Sequence, residues 1–225
     1  MKKSFHYYDI LLAVYAVALL ISNIAATKLV TFGPIIADGG VILFPLVYIF
    51  DDIFTEVYGY SYARRAIWTA FGLMLLSIIC FTLVGAMPPA AEYTNQAAFE
   101  AVLGFFPRIV TASLTAFLVG SFINSYVLAR LKVKTNGQKL WLRLIGSTIF
   151  GTGLDTIIFC LIAFGGEIST VAMINYIIVG FCFKLLVEIV CLPITYRVVA
   201  FLKRRESSDT YDQQTDFSPF KFATK

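Results

Sequence analysis

The sequence predicts an all-α, polytopic membrane protein: a single domain of six transmembrane helices over residues 1–205, followed by a disordered cytoplasmic tail over residues 206–225. Three observations support this fold class. Of the 225 residues, 59% are hydrophobic and only 14% are charged, whereas a soluble domain carries about 25% charged residues. The apolar residues form runs long enough to span a bilayer. The positive charges recur in every second connection between those runs.

Each apolar run has the length of about 20 residues that a membrane-spanning helix needs. The runs cover residues 9–31, 36–58, 65–86, 106–129, 140–164 and 171–202. They are continuously apolar, which excludes a sheet, because the strands of a membrane barrel alternate apolar and polar residues. The first run exceeds the apolar core of a signal peptide and five further runs follow it, so we interpret it as a transmembrane helix.

The distribution of positive charge predicts the orientation of the bundle. Lysines and arginines precede the first run, separate the second from the third and the fourth from the fifth, and follow the sixth; they are Lys2, Lys3, Arg64, Arg65, Arg130, Lys132, Lys134, Lys139, Arg143, Lys203, Arg204 and Arg205. The positive-inside rule therefore places both termini in the cytoplasm. The long third connection, residues 87–107, is either an external lid or a short interfacial helix.

A group of charged residues follows the second apolar run. Asp51, Asp52 and Glu56 come at its end, and Arg64 and Arg65 follow shortly after. Carboxylates at the end of a membrane-length segment are costly unless they face a partner or a water-filled cavity. They are therefore candidates for a gate, an ion-coupling site or a substrate contact, with Asp52 expected to point inward. The alternative is an interfacial ion pair with Arg64 or Arg65.

Polar side chains in the middle of other predicted helices form a second candidate site. Asp155 lies on the fifth helix, and Lys184 and Glu188 lie four residues apart on the sixth, where they share one face. A single ionised side chain at this depth costs about 2.5–3.5 kcal/mol. We therefore expect Asp155 to pair with Lys184 and Glu188 to face the same cavity. The alternative is that these charges only fix how the helices pack. Asn23, deep in the first helix, is a further candidate.

Residues four positions apart form a stripe on each of the last three predicted helices, and these stripes include Gly120, Gly151 and Gly180. Small residues permit close helix contacts, and the small-residue face of the fourth helix would also permit a homodimer. Phe44, Tyr48 and Phe150 could stack on a planar ring, although most of the 21 phenylalanines are expected to pack or to face lipid.

Arg108 opens the fourth helix and is either an interfacial anchor or a substrate-facing residue. The single histidine, His6, lies outside the apolar runs, and the four cysteines lack zinc or disulfide spacing. We therefore expect no metal and no cofactor. The expected partners are a small-molecule substrate and the lipid bilayer, with no nucleic acid.

Several short motifs, in a fixed order, resemble those of the queuosine-precursor transporter family, which has also been labelled a vitamin uptake transporter family. They are Ser22-Asn23, Phe44-Pro45 before Asp52, Thr55-Glu56-Val57-Tyr58-Gly59, Ala63-Arg64-Arg65, Arg108 with Ala112-Ser113, residues 147–151 with Asp155-Thr156, and Phe183-Lys184 with Pro193. No single motif is specific, but the ordered set covers nearly the whole membrane domain. The resemblance implies a multi-pass protein of the bacterial cytoplasmic (inner) membrane that imports the 7-cyano and 7-aminomethyl 7-deazaguanine precursors of queuosine, for salvage into tRNA modification.

The chemistry of such a base fits the candidate residues. A guanine-type edge presents N1–H and an exocyclic amine, two donors that one carboxylate can accept together. We expect Glu188 or Asp155 to bind this edge, Lys184 or Asn23 to donate to the carbonyl at position 6, and neighbouring aromatic residues to contact the ring. An unpaired donor costs about 1–3 kcal/mol, and a cost of this kind would reject adenine.

The family also looks distantly related to the substrate-binding S components of energy-coupling-factor transporters, which dock on an energising subunit through an Ala-x-x-x-Ala face of the first helix. The nearest pattern here is Ala18, Ser22 and Ala26, and this departure favours a stand-alone carrier. The alternative is an S-component-like vitamin or nucleobase-binding subunit that requires energising partners. The sequence contains neither a Ser/His pairing nor a His-Glu-x-x-His motif, so it offers little support for an enzyme. Two sources of energy for uptake fit the sequence equally well. One is proton coupling through Asp52, Glu56 or Glu188, and the other is facilitated diffusion followed by intracellular trapping.

Overall fold

A computed structural model describes residues 5–32, 35–104 and 107–221. Over these ranges the chain is nearly all-helical. The helices are α1 (Tyr8–Ala25), α2 (Phe44–Ile53, continued by a π-helical turn over Phe54–Tyr58), α3 (Tyr60–Gly85), α4 (Gln96–Leu103), α5 (Pro107–Lys134), α6 (Leu140–Phe164) and α7 (Thr170–Glu206). The predicted cations Lys2 and Lys3, the connecting residues 33 and 34, and Phe106, at which the fourth apolar run begins, lie outside the described residues.

Among the described residues, five segments are helical and apolar enough to cross a membrane. They are α1, α3, α6, α7 and the segment that contains α4 and α5. The chain is therefore a multi-pass helical membrane protein. The predicted fifth run coincides with α6, whereas α5 and α7 continue past their apolar runs to Lys134 and Glu206. Charged residues can extend a helix there because water or other charged groups solvate them beyond the hydrocarbon core.

The second predicted span differs from the structure. β1 (Leu29–Phe32) and β2 (Ile35–Asp38) form an antiparallel pair of strands, in which Val30 pairs with Ala37. A short 3-10 turn over Gly39–Ile42 follows β2. The predictions that excluded any sheet and that began the second helix at residue 36 were therefore wrong for residues 29–43.

Close contact with α1 explains where the second helix begins. Gly39 N–H donates to Lys28 O at 2.7 Å, and a Cβ on Gly39 would lie 2.5 Å from Ala25 O. The chain therefore passes too near the end of α1 to carry a side chain at this position. Pro45 then occupies the first turn of α2, where its fixed φ and missing N–H are tolerated. With its π-helical turn, α2 is about 22 Å long, shorter than a full span.

The apolar core lies between α1, α2 and α3, where aromatic rings pack edge to face. The Tyr8 ring lies 5.4 Å from those of Phe54 and Tyr58, and 5.2 Å from that of Tyr62. Each such pair contributes about 0.5–1.5 kcal/mol beyond burial. Phe54 and Tyr58 are four residues apart and share one face of α2. The opposite face of α2 is therefore available for polar contacts with α5, α6 and α7.

Two glycines allow α5 and α6 to touch through their backbones. A Cβ on Gly151 would lie 3.0 Å from Gly120 O, and a Cβ on Gly120 would lie 3.1 Å from Gly151 O. These separations leave no room for a methyl group at either position. The close approach predicted from the small-residue stripes is confirmed at this crossing.

The C-terminal tail packs against the bundle over residues 207–221, which corrects the expectation of a disordered segment. Asp212 Oδ2 accepts from Tyr60 N–H at 3.0 Å and so caps the first turn of α3. The Arg64 side chain donates to Asp216 O at 3.0 Å and to Ser218 O at 2.7 Å. These polar contacts hold a segment whose lack of apolar periodicity had suggested disorder.

Gly59 connects α2 with α3 in a conformation that favours glycine. Its φ is +87°, in the region that most side chains avoid. A Cβ there would also lie 2.7 Å from Thr210 Cγ2 of the tail. The sharp turn and the path of the tail across it therefore both depend on the missing side chain.

Candidate functional site

Polar side chains at four-residue spacing form a column between four helices. Residues four apart share one face of a helix, and α2 presents Tyr48, Asp52 and Glu56 in this way. Their contacts on α5, α6 and α7 divide the column into three layers. We name them the glycine layer (Phe44, Tyr48, Gly120, Asp155, Lys184), the carboxylate layer (Asp52, Asn124, Ser147, Thr148, Glu188) and the basic layer (Glu56, Lys132, Arg143, Lys203, Asp209).

The carboxylate layer places two buried acids against each other. Asp52 is 1% exposed, and its Oδ1 accepts from Asn124 Nδ2 at 2.7 Å and from Ser147 Oγ at 3.3 Å. Glu188 is 3% exposed and faces the Asp52 carboxyl. Within the described ranges neither acid forms an ion pair. Two adjacent carboxyls without a countercharge are costly to ionise together in a buried site.

Several atoms in and beside this layer have unused hydrogen-bonding capacity. In the part of the chain that the structure describes, Glu188 Oε1, Asn124 Oδ1, Thr148 Oγ1 and Tyr48 Oη are buried without a hydrogen bond of normal geometry. A buried polar group left without a partner costs about 1–3 kcal/mol. A ligand that brought hydrogen-bond donors to these oxygens would recover that free energy.

The glycine layer contains the predicted ion pair between α6 and α7, which is confirmed. Lys184 Nζ pairs with Asp155 Oδ2 and also donates to Thr156 Oγ1 at 3.2 Å. The two charged side chains are 17% and 13% exposed, so the pair is not sealed. The Phe44 ring lies 6.0 Å from Lys184 Nζ, at the limit of a cation–π contact.

Gly120 leaves space for two side chains of the glycine layer. A Cβ on this residue would lie 2.6 Å from Tyr48 Oη and 2.8 Å from Asp155 Cβ. The tyrosine hydroxyl and the aspartate therefore meet over a bare patch of α5. This patch brings the phenol of Tyr48 and the Asp155–Lys184 pair into one space.

The basic layer surrounds Glu56 with three cations. The Glu56 side chain is fully buried, and its Oε1 lies 2.9 Å from Arg143 Nη2, 2.6 Å from Lys203 Nζ and 3.5 Å from Lys132 Nζ. The suggestion that Arg64 or Arg65 neutralises Glu56 was wrong. Arg64 bonds to the tail, and the cations that meet Glu56 come from three distant helices.

Asp209 of the tail adds a second carboxylate to the basic layer. Its Oδ1 lies 2.6 Å from Lys132 Nζ and 2.8 Å from Lys203 Nζ. Burial by itself raises the pKa of Asp209, but its hydrogen bonds to the two lysines outweigh burial and hold that pKa below the ordinary value. The tail thus closes the basic end of the column, by which we mean the end that carries the basic layer.

Asp51 lies apart from the three layers. Tyr15 Oη of α1 donates to its Oδ1 at 2.7 Å. Because consecutive helical residues differ by about 100° in direction, Asp51 points toward α1 and Ser121 of α5, whereas Asp52 points toward α6, α7 and Asn124 of α5. The two neighbouring carboxyls therefore belong to different sites.

Two candidates from the sequence have structural roles away from the column. Asn23 Nδ2 donates to Leu19 O, and its Oδ1 accepts from Ser113 Oγ at 2.8 Å, so it joins α1 to α5. Arg108 pairs with Glu167 at 3.0 Å and donates to the carbonyls of Ile162 and Gly165. Those carbonyls end α6, which favours the anchor interpretation of Arg108.

The structure excludes Phe150 from the predicted site. Its side chain is 58% exposed on the face of α6 that also carries the exposed Leu154 and Ile157. The buried face of the helix carries Ser147 and Gly151. An aromatic residue pointing away from the bundle cannot line the column.

Sequence reasoning missed Tyr15, Ser121 and Thr148 as site residues, and it assigned Lys132, Arg143 and Lys203 only to orientation. The four-residue spacing from Arg143 through Ser147 to Asp155 was a visible signal. It shows that these side chains share a face, but only the packing of α2 against α6 shows what that face meets.

Comparisons with known proteins agree on a family. A family model described as "Putative vitamin uptake transporter" matches residues 38–198. A "Probable queuosine precursor transporter" of Bacillus subtilis is 28% identical over 192 residues, which cover 85% of this chain and 84% of that protein. The "Queuosine precursor transporter" of Escherichia coli is 26% identical over 173 residues, 76% of each chain. No solved structure matches the chain.

Proposed function

The chain belongs to the vitamin uptake transporter family, and from that premise we propose that it imports 7-deazaguanine precursors of queuosine, the 7-cyano and 7-aminomethyl bases, across the bacterial cytoplasmic membrane. The names of the relatives support the substrate class. The observation that carries the proposal is the uncompensated pair of Asp52 and Glu188 in the carboxylate layer.

A pair of carboxyls that shares one proton matches the edge of a guanine-type base. The ionised carboxylate accepts from N1–H and from the exocyclic amine, and the protonated carboxyl donates to the carbonyl at position 6. Glu188 Oε1 is free for the first role, and the Thr148 hydroxyl offers a second donor. Adenine presents an acceptor where guanine presents N1–H, so it would leave the carboxylate facing a lone pair. Such a mismatch costs about 1–3 kcal/mol, or about tenfold in affinity per 1.4 kcal/mol.

The glycine layer supplies the flat walls of the proposed site. Tyr48 lies one helical turn from Asp52, and its hydroxyl has no partner among the described residues. Tyr48 and Asp155 meet over Gly120 and fill the space beside it in this state. A base that stacks on the Tyr48 ring therefore enters only when the Tyr48 side chain moves away from Asp155.

The basic layer supplies the gate. Its ion pairs tie α2, α5, α6 and α7 together beside the carboxylate layer. By the positive-inside rule this end faces the cytoplasm, with both termini on the same side. The structure then represents a state closed toward the cytoplasm, and release of the base requires that these pairs separate.

Uptake by the purified chain in liposomes tests the proposal. Glu188→Gln replaces an acceptor oxygen by an amide that also donates, so we expect uptake of the labelled 7-deazaguanine bases to fall at least tenfold. Phe150→Leu, on the outward face, is the matched control and keeps wild-type uptake. Wild-type uptake by Glu188→Gln would remove this carboxyl from the site.

The same assay separates a carrier from a receptor subunit. A stand-alone carrier transports the base when it is the only protein in the liposome. An S-component-like subunit binds the base, detected by a thermal shift, but does not transport it without energising partners. Binding of adenine as strong as that of the deazaguanine bases would contradict the proposed edge recognition.

A further inference from the structure

Asp51 is a buried acid that the proposed base site does not use. It is 0% exposed, and its Oδ2 has no hydrogen bond of normal geometry within the described ranges. Ser121 of α5 lies beside the Asp51 carboxyl, and its Oγ is likewise buried and unpartnered. Ser125, one turn further along α5, has the same character. Two unsatisfied oxygens, Asp51 Oδ2 and Ser121 Oγ, thus occur near Tyr15, outside the three layers.

No positive charge compensates Asp51 in the described part of the chain. The titratable groups that face it are Tyr15 from α1, and Tyr48 and Asp52 from its own helix. From α5 it meets the hydroxyl of Ser121. None of these groups is a cation. An ionised carboxylate buried in this way is unfavourable unless it binds a proton or a cation.

The four acids of the three layers that lie on α2, α6 and α7 are already committed. Glu56 is held by three cations and Asp155 by Lys184. Asp52 and Glu188 face each other and serve the proposed recognition of the base. Compared with these four acids, Asp51 is the one whose charge can change without breaking an ion pair or the base site.

We propose that Asp51 is the proton-binding site that couples uptake of the base to proton entry, an inference that rests on the proposed function. A proton from water on the outer side binds Oδ2 and forms an O–H group, which donates a hydrogen bond to Ser121 Oγ, while Tyr15 Oη keeps its bond to Oδ1. On the cytoplasmic side the O–H bond breaks, the proton passes to water, and the carboxylate returns. One proton moves inward for each base, with no electron transfer.

The position of Asp51 next to Asp52 provides the coupling. Both residues lie on α2, one facing α1 and the other facing α6 and α7. A rotation of α2 that exposes Asp52 to one side of the membrane also changes the surroundings of Asp51. Loading of one site therefore biases the accessibility of the other, which is how linked equilibria couple two ligands.

Liposomes with an imposed pH gradient test this inference. The wild type is expected to accumulate the base, up to about tenfold per pH unit for one proton, and to acidify an enclosed pH-sensitive dye. Asp51→Asn cannot release a proton, so we expect it to exchange internal for external base at a rate near that of the wild type. It should not accumulate the base in response to the gradient. Phe150→Leu serves as the control for reconstitution.

A second variant decides the matter if Asp51→Asn does not fold. Tyr15→Phe removes the hydrogen bond that favours the ionised carboxylate, so the pH midpoint of uptake should move to higher pH. An unchanged midpoint would overturn the inference, as would gradient-driven accumulation by Asp51→Asn or uptake that follows a sodium gradient instead. Failure of the wild type to bind the base would contradict the proposed function itself, which the thermal-shift assay detects separately.

Discussion

Arg143 and Glu56 form a two-point hydrogen bond across the basic end of the bundle. Arg143 Nη2 lies 2.9 Å from Glu56 Oε1, and Nε lies 3.3 Å from Oε2. Both side chains are at most 1% exposed. The guanidinium fork fixes the orientation of the carboxylate, which then accepts from Lys203 as well. This contact joins α2 to α6 and α7 beside the carboxylate layer, and it makes the basic layer a strong structural lock.

Replacing Glu56 should strongly destabilise the protein. Glu56→Gln leaves three cations around a neutral side chain, and breaking a buried ion pair from one side costs about 3–5 kcal/mol. Thermal unfolding in detergent should show a large fall in the midpoint. Glu167→Gln, which breaks the exposed pair with Arg108, should cost less than about 1 kcal/mol. Equal losses for the two variants would show that the basic layer is no stronger than a surface pair.

The contact between α5 and α6 should not tolerate a methyl group. Gly120→Ala would place a Cβ 2.6 Å from Tyr48 Oη and 2.8 Å from Asp155 Cβ. Overpacking of this kind costs about 1–3 kcal/mol, and uptake should fall because Tyr48 is displaced. Gly72→Ala is the matched control, since a Cβ on that helical glycine meets no atom within 4 Å. Wild-type uptake and stability of Gly120→Ala would contradict the proposed importance of the close contact at Gly120.

Single and double variants of the Asp155–Lys184 pair should show whether the pair serves helix packing or transport. Lys184→Met alone leaves Asp155 without a countercharge and should lower the thermal midpoint. The double variant Asp155→Leu, Lys184→Met removes both charges and should recover most of that stability, because replacing a whole buried pair is often neutral. We expect the double variant to fold but to lose uptake. Uptake restored together with stability would show that the pair serves packing only.

Docking of the tail should depend on the charge of Asp209. Because the pKa of Asp209 lies below its ordinary value of 3.8, ionised Asp209 favours the docked tail. Its contribution is complete above that ordinary value and is lost as the pH falls through the lower pKa of the docked state. The wild-type tail should therefore stay protected from proteolysis at pH 5–7, whereas Asp209→Asn should be cleaved faster over this range. Asp216→Asn, in the exposed pair with Lys221, should have a smaller effect.

In the proposed function, the three layers divide the work of a carrier between chemically different groups. The carboxylate layer offers free oxygens for recognition, the glycine layer offers the Tyr48 ring, and the basic layer offers the ion pairs of the proposed gate. Asp51 lies outside all three and shares only α2 with them. A single helix thus connects the proposed recognition site, the proposed gate and the proposed proton site.

The sequence by itself determined the membrane class, the positions of most helices and the pairing of Asp155 with Lys184. Hydrophobic runs and single buried charges impose those features, because lipid provides no other partner for either. Only the tertiary structure decided that Glu56 meets Lys132, Arg143 and Lys203, that Asp51 and Asp52 have different partners, and that Phe150 points outward. These outcomes depend on how helices rotate and cross, which the side chains of several distant segments fix together. The same reason applies to the strand pair before α2 and to the docked tail, whose hydrogen bonds have partners far away in the chain.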